Sequence, residues 1–569
     1  MTIRSPGARP PQISKADLPL QRFYHWEATS PDKVYFTQPF DGGQLREYTW
    51  QQVGSETRKV AAWLQAQGWV PGSKVAILGK NSAGWIMADL AIWMAGYVSV
   101  PLYPLLTAEN ILQIAQHSES VACFVGKLDD VGLLGGVPEG VPVIALPLAP
   151  EAAVAKAATD WDTIVATTEP IPGSPVRDGG DLATLVYTSG TTGTAKGAMH
   201  SFDTLAAGLL TVINHSEHDQ NDRALSYLPL AHIMERSVLE LSSLYCGYQV
   251  FFAESLTSFA ADLRRARPTA FISVPRLWLK FQQGVLAKIP QKKLSRMLKT
   301  PVLGYFVRRK IVKQLGLDQT KWVGSGSAPM AGDLVEWYQA LGLNMHEGYG
   351  MTELGCTSHT TRVGGHALGT VGCAADGVDH RIDPATGEVQ VLSPAATLGY
   401  YKAPELTAEL FTEDGWLKTG DKGVIDANDR LTIVGRIKDN FKTSKGKYVA
   451  PAPIEHKLSQ HAAIDACLVV GSSMSQPLGL IVLNEAAARE LAQNKAKLMA
   501  EFSAHLDAIN ATLDAHEQLD CVAVTTKAWT PENGLLTPTL KVKRAQIEAR
   551  FANEFEGWAK RREKVVWVE

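Results

Sequence analysis

The sequence predicts an α/β protein in two parts: a large, multi-lobed N-terminal domain of mostly parallel, helix-covered sheets, and a small, mobile α+β C-terminal domain. Three observations carry this. Short β-type runs alternate with helical patterns between residues 51 and 112, the same alternation returns further along, and the texture becomes charged and turn-rich near residue 438. Alternation favours parallel strands, because each crossover lays a helix on a face of the sheet.

The elements follow in order. QQVGSETRKVAAWLQAQGW has helical spacing, KVAILG is β-type, SAGWIMADLAIWMAGY is helical again, and VSVPLYP returns to β-type. LATLVYTS, ALSYLPL, YQVFFAE and TAFISVP repeat the β-type grammar, each followed by polar or helix-like sequence, so the large body extends to roughly residue 435. The apolar run 85–100 is interrupted by Asp89. It falls short of the ~20 residues that span a bilayer and reads as a buried helix. After GRIKDNFKTSKGKYVAP come the β-type runs ACLVVGSS and GLIVLN, a long Ala/Glu/Lys helix from about residue 485, and a basic tail. The expected division is 1–437 and 438–569, with a hinge near Lys438.

Length and composition narrow the classes. At 569 residues, 45% hydrophobic and 20% charged, the chain can bury several lobes, and a net charge of −3 supplies no global field for nucleic acid. Any polyanion site must be local. Six cysteines (Cys123, Cys246, Cys356, Cys373, Cys467, Cys521) show no CxxC spacing, which argues against a zinc site or a disulfide framework and suits a reducing, cytoplasmic setting. The opening MTIRSPGARPPQISK lacks an apolar core behind its Arg and reads as a loose lead-in, not a secretion signal.

The strongest motif is LVYTSGTTGTAKGAMH, residues 185–200. A β-type run enters a loop carrying Thr188, Ser189, Gly190, Thr191, Thr192, Gly193, Thr194 and Lys196, and a second extended run leaves it. Glycines let backbone N–H groups turn inward, hydroxyls add donors, and the lysine adds a point charge, which together make a cradle for a polyphosphate. The Walker pattern is not met, since Ala195 precedes Lys196 and Gly197 follows it. A polar hairpin is the bland alternative; five hydroxyl residues, two inner glycines and a lysine within nine positions favour phosphate binding.

YTSGTTGTAKG resembles the phosphate loop of the adenylate-forming ligase superfamily (AMP-binding enzymes), which includes acyl-CoA synthetases, luciferases and peptide-synthetase adenylation domains. Ala195 stands where many members carry proline. SGSAPM, with Ser327, Ala328 and Pro329, resembles the segment lining the adenine pocket, and HEGYGMTE resembles the motif that follows it. Tyr349 can stack on a purine, Gly350 lies beside it, Thr352 can bond a phosphate oxygen and Glu353 can hold Mg²⁺. Without the resemblance, Tyr349 reads as a core aromatic and Glu353 as a helix-start carboxylate. In WLKTGDKG, Asp421 suits ribose hydroxyls or a turn. In GRIKD, Arg436 resembles the arginine that contacts ribose and phosphate, and Lys438 the hinge; a surface salt bridge is the alternative for both. LLTPTLKVKR resembles the last motif, which makes Lys541 the lysine that enters the site during adenylation, with Leu540 in place of the usual glycine. That substitution, and the segment LPLAHIMERSVLELSSLYCGYQVFFAE, are similar to long-chain fatty acyl-CoA synthetases, where a histidine at the position of His232 lies near the acyl carboxylate. A hydrogen-bonded core histidine is equally in keeping with the sequence. Leu239, Leu241 and Leu244 could line an alkyl tunnel, though their spacing more often marks core.

The resemblance implies ATP-dependent activation of a carboxylic acid, a medium- or long-chain fatty acid, to an acyl-adenylate, then transfer to coenzyme A. Catalysis would fall to Lys541, Lys196, Glu353 and His232, with Mg²⁺ on Thr188 and Glu353. Lys445 and Gly446 would meet coenzyme A after rotation about Lys438. Alternatives are an acyl-AMP ligase, an acyl-carrier-protein ligase, or a nucleotide-gated acyl-binding protein without turnover. No nucleic-acid partner is expected. A homodimer, and a peripheral membrane contact through the mixed apolar and basic residues 296–317, stay open beside a solvated amphipathic helix.

Overall fold

The structure, a computed structural model, describes residues 12–189, 195–213, 218–362, 367–530, 533–537 and 541–568, with backbone only at 189, 492 and 493. The chain forms two compact units. The first comprises Met1–Arg381, Gln390–Lys418 and Asp426–Leu431, and the second Ile382–Val389, Thr419–Ile425 and Thr432–Glu569.

In the first unit the alternating segment folds as its pattern predicts. Thr49 caps the helix Trp50–Ala66 by accepting from the Gln52 N–H, and the Gln52 side chain accepts from the Thr49 N–H, so two donors left open by a helix start are satisfied. Lys74–Leu78 and Val98–Leu102 pair in parallel, and the helix Ala83–Met94 forms the crossover. Every residue of that helix is buried, which is why its sequence is apolar all round instead of along one stripe. Its one charge, Asp89, is matched by the buried Arg236. The last part of the apolar run 85–100 belongs to the strand, not to the helix.

These strands sit in a seven-stranded sheet ordered Thr159–Asp160, Val143–Ala145, Ser120–Val125, Lys74–Leu78, Val98–Leu102, Leu182–Ser189 and Ala195–Ser201. All pairings are parallel except the last. A second sheet runs Arg223–Ser226, Gln249–Phe252, Val34–Phe40 and Gln44–Thr49, and a third runs Ala270–Ser273, Trp322–Gly326, Met345–Tyr349, His359–Thr360 and Cys373–Ala374. In the third, the first three strands are parallel. Ile233–Glu235, Arg236–Leu241 and Ser242–Cys246 form one helical stretch whose middle winds as a π-helix. Leu239, Leu241 and Leu244 on it belong to the main hydrophobic core. Residues 296–317 form no single helix: Gln291–Lys299 and Pro301–Leu315 are separate, divided where Pro301 cannot donate to the preceding turn.

The second unit is α+β. Ile464–Val470 pairs antiparallel with Leu478–Leu483, which continues in parallel to Val522–Thr525 and Val565–Val568. The helix expected from residue 485 is interrupted: Glu485–Arg489, capped by Asn484, gives way at Glu490 to Leu491–Asn510. Nothing in the local sequence explains that break. The basic tail is likewise more structured than expected, with the helices Arg544–Phe551 and Phe555–Lys560 ahead of the edge strand Val565–Val568. Its β-branched residues complete the sheet, and burial outweighs the charge of Arg561, Arg562 and Lys564 beside it. Among the described residues no helix is long and apolar enough to cross a membrane, and all six cysteines are free thiols.

Candidate active site

The candidate segments of the first unit share one topological position: each follows the carboxyl end of a strand. Thr188 and Ser189 end Leu182–Ser189, His232 follows Arg223–Ser226, Ser327 follows Trp322–Gly326, and Gly350 to Glu353 follow Met345–Tyr349. In open parallel sheets the crevice beyond these ends is where ligands bind, since loops there can vary while the strands fix their roots.

Thr188 lies opposite Lys196 in the antiparallel register that also places Ser189 opposite Ala195. Gly190, Thr191, Thr192, Gly193 and Thr194 lie outside the described residues. Directly cross-strand residues present their side chains on one face, so Thr188 and Lys196 point the same way. Segment 397–401 joins the other edge of this hairpin through Met199 N–H to Gly399 O (2.9 Å) and Tyr401 N–H to Gly197 O (2.8 Å). Ala198 therefore faces Tyr400. The Lys196 ammonium lies 5.3 Å from the Tyr400 ring centroid, and the Tyr400 hydroxyl donates to Glu353 Oε1 at 2.6 Å. Burial, and the carboxylate beside it, raise the Tyr400 phenol far above its ordinary range, so it remains a donor. One side chain thus holds a cation on its face and a carboxylate at its tip, and the sequence reading did not single it out. Glu353 is buried, its backbone C=O accepting from Thr397 N–H at 2.8 Å.

The turn bearing Glu353 is fixed from two more sides. His200, fully buried on Ala195–Ser201, places Nε2 2.8 Å from Thr352 O and Nδ1 3.2 Å from Thr204 Oγ1. Burial lowers its imidazole to about 4, so at neutral pH it is uncharged and donates from Nε2 to the carbonyl. Gly350 has a steric reason to be glycine, since a Cβ there would stand 1.8 Å from Cys356 O. Tyr349 is half-buried, its ring 5.8 Å from that of His359. Behind it runs a buried chain: His359 Nε2 to His380 Nδ1 at 2.7 Å, and His380 Nε2 to Asp429 Oδ1 at 2.8 Å. Burial and the adjacent His380 hold His359 well below the ordinary imidazole range.

Ser327, at φ +68°, turns its hydroxyl to Met234 Sδ (3.2 Å), which joins the SGSAPM loop to the short helix that His232 begins. Ala328 and Pro329 follow in that loop as exposed residues. His232 Nδ1 accepts from Met234 N–H at 3.0 Å, which in the neutral ring puts the proton on Nε2. The loop ahead of it is clamped by residues 154 positions apart. Glu235 Oε1 accepts from Tyr227 N–H (3.0 Å), Ser226 Oγ (3.1 Å) and Asn81 Nδ2 (3.3 Å), while Asn81 Oδ1 accepts from Leu230 N–H (3.2 Å). Full burial pushes the Glu235 carboxyl up to about 8.

In the second unit, Asp421 is nearly buried and bonds Arg436 Nε through Oδ1 at 2.8 Å, so these two candidates are brought together. Lys438 is exposed just beyond. Lys445 and Gly446, the latter at φ +77°, form the tip of the hairpin Phe441–Lys442 with Tyr448–Val449. Lys541 is exposed at the root of another turn, where its backbone C=O accepts from Thr537 N–H at 2.7 Å. Leu540 lies outside the described residues.

Among the described residues no group of three or more His, Cys, Asp or Glu side chains is arranged to hold a metal ion. The donors fit a cation delivered with a nucleotide: Glu353 offers a carboxylate oxygen beyond the one Tyr400 engages, and Thr188 a hydroxyl, leaving most coordination to phosphate and water.

Known proteins share the sequence pattern and the fold that carry these residues. Residues 23–401 match the model of the AMP-binding enzyme family, and residues 438–563 that of the AMP-binding enzyme C-terminal domain. The chain is 30% identical to the long chain acyl-CoA synthetase 7, peroxisomal, of Arabidopsis thaliana, covering 93% of this chain and 84% of that one. It is 27% identical to the long-chain-fatty-acid–CoA ligase FadD15 of Mycobacterium bovis, over 96% and 97% of the two chains. The adenylation domain of a carboxylic acid reductase from Segniliparus rugosus, solved with AMP and a co-purified carboxylic acid, has the same fold at TM-score 0.79 and 22% identity, over 96% and 94%. Acyl-CoA ligases of this family use ATP, Mg²⁺ and coenzyme A. The chain belongs to the AMP-binding enzyme family, the adenylate-forming acid ligases.

Proposed function

We propose that this protein activates a medium- or long-chain fatty acid as its acyl-adenylate and transfers the acyl group to coenzyme A, releasing AMP and pyrophosphate. The observation that carries the reading is the Lys196, Tyr400, Glu353 arrangement at the foot of the glycine-rich loop. Attack of a carboxylate on the α-phosphorus brings two anions together, so catalysis here consists mainly of positioning and charge neutralisation. Lys196, with Thr188, Ser189 and the loop Gly190 to Thr194, is assigned the β- and γ-phosphates. Mg²⁺ bound with ATP supplies further charge neutralisation, with Glu353 and Thr188 as its protein ligands. Ser327, Ala328, Pro329, Tyr349, Gly350 and Thr352 are assigned the adenine and α-phosphate, and the His232 Nε2–H a carboxylate oxygen of the acid.

Asp421 and Arg436, both ahead of the proposed hinge, are assigned the ribose, their ion pair presetting the carboxylate for two hydroxyls. Lys541 is assigned the developing charge between carboxylate and α-phosphate, Lys438 the hinge that separates residues 1–437 from 438–569, and Lys445 with Gly446 the approach of coenzyme A. Six free thiols suit a cytoplasmic setting. The presence of Lys196, Glu353 and Lys541 together argues against a binder without turnover, which needs neither a mobile lysine nor a metal carboxylate.

A pyrophosphate-release screen from acetate to long-chain acids, with coenzyme A present or omitted, tests the reading. Thioester formation with coenzyme A and a medium or long acid is expected. Arrest at the adenylate would assign the acceptor to a carrier protein or make the adenylate the product. Parental turnover by Lys196→Ala and Glu353→Gln would overturn the site.

A further inference from the structure

The stretch between residues 288 and 313 holds nine Lys and Arg and not one Asp or Glu, in a chain whose net charge is −3. It forms the helical hairpin Gln291–Lys299 and Pro301–Leu315. All nine cations are exposed, and among the described residues none of them is in an ion pair. The turn between the helices is tight: Gly304 N–H donates to Thr300 O at 2.6 Å, and a Cβ on Gly304 would stand 2.5 Å from Leu298 O. That packing spends Leu294, Ile311 and Val312 on the core and leaves Val302, Leu303, Tyr305 and Phe306 outside at 72%, 45%, 56% and 62% exposure. Among the described residues, other exposed large apolar side chains stand apart from one another in the sequence.

We propose that this hairpin is a docking surface for an anionic phospholipid bilayer, its apolar tip entering the acyl boundary and its collar of Lys and Arg meeting the headgroups. Charge complementarity selects an anionic partner, since unpaired surface cations gain most where a dense sheet of negative charge faces them. The tip selects a bilayer over an acidic protein. Aromatic and aliphatic side chains projecting from a rigid turn enter a fluid boundary without a matching pocket, at the depth of about 5–10 Å that an interfacial helix reaches. On the fatty-acid reading, this would keep the enzyme where its substrate partitions; the binding itself does not depend on that reading.

The test is flotation of the full chain with phosphatidylcholine vesicles, with and without phosphatidylglycerol, scored by partition and without reference to turnover. The parent should float with the anionic vesicles alone, and the partition should fall as salt rises. The combined Arg308→Glu, Arg309→Glu, Lys310→Glu variant should lose more than about tenfold in partition. The Tyr305→Ser, Phe306→Ser variant should lose about as much. Both should keep the parental melting temperature, because these side chains are exposed. A parent that stays with the free protein refutes the proposal, as does parental flotation of either variant; loss in the charge variant alone would show headgroup attraction without entry of the tip and would overturn the docking geometry.

Discussion

Tyr400→Phe keeps the ring against Lys196 and removes only the hydroxyl bonded to Glu353 at 2.6 Å. A hydrogen bond to a charged group contributes about 1.5–3 kcal/mol, and Glu353 is buried, so water does not readily replace the lost donor. If the bond serves to aim the carboxylate at the metal of the reacting nucleotide, that energy appears in the barrier, a fall of about tenfold to about a hundredfold in kcat/KM. Acid-dependent ATP–pyrophosphate exchange measures it, titrated with Mg²⁺. The apparent Mg²⁺ requirement should rise in parallel, since a swinging carboxylate binds a hard cation less well. Tyr400→Leu should lose a further ~0.5–1 kcal/mol, the share of the ammonium on the ring face. Parental exchange and parental Mg²⁺ dependence in Tyr400→Phe would show that Glu353 is not oriented through this residue and would refute the reasoning.

Further outcomes follow from other contacts. His200 is depressed to about 4 in the folded protein. The unfolded chain therefore binds the proton first, and stability falls as pH drops from ~6.5 to ~4, by about 3 kcal/mol in all; His200→Ala should flatten that part of a denaturant-stability profile. Arg236→Met leaves Asp89 and Glu240 buried without their cation and should cost about 3–5 kcal/mol in chemical denaturation; an added Glu240→Gln should restore part of it, because burial and Asp89 already push the Glu240 carboxyl far up. Lys438→Pro fixes φ at the proposed hinge, so adenylate formation should continue while thioester formation stops; equal loss of both partial reactions would contradict the hinge.

The elements legible in the sequence were those whose signal is local. The crossover helix Ala83–Met94 and the strands Lys74–Leu78, Leu182–Ser189 and Ala270–Ser273 are each one periodic run between turn residues. Where the signal was weaker, the outcome differed. The interruption at Glu490 falls on a good helix former, and the edge strand Val565–Val568 is four residues long behind a basic stretch. The π-wound turn Arg236–Leu241 leaves no sequence mark either.

By itself the sequence determined the chemistry expected of this protein, because a phosphate-binding loop needs glycines, hydroxyls and a lysine close together in the chain, and such groups stay visible whatever surrounds them. Only the tertiary structure decided which side chains far apart in the chain bond one another. Tyr400 reaches Glu353 across 47 positions, Asn81 reaches Glu235 across 154, and His200 reaches Thr352 across 152. A hydrogen bond depends on the separation of its two atoms in space, and a sequence with no period connecting such distant positions cannot express it.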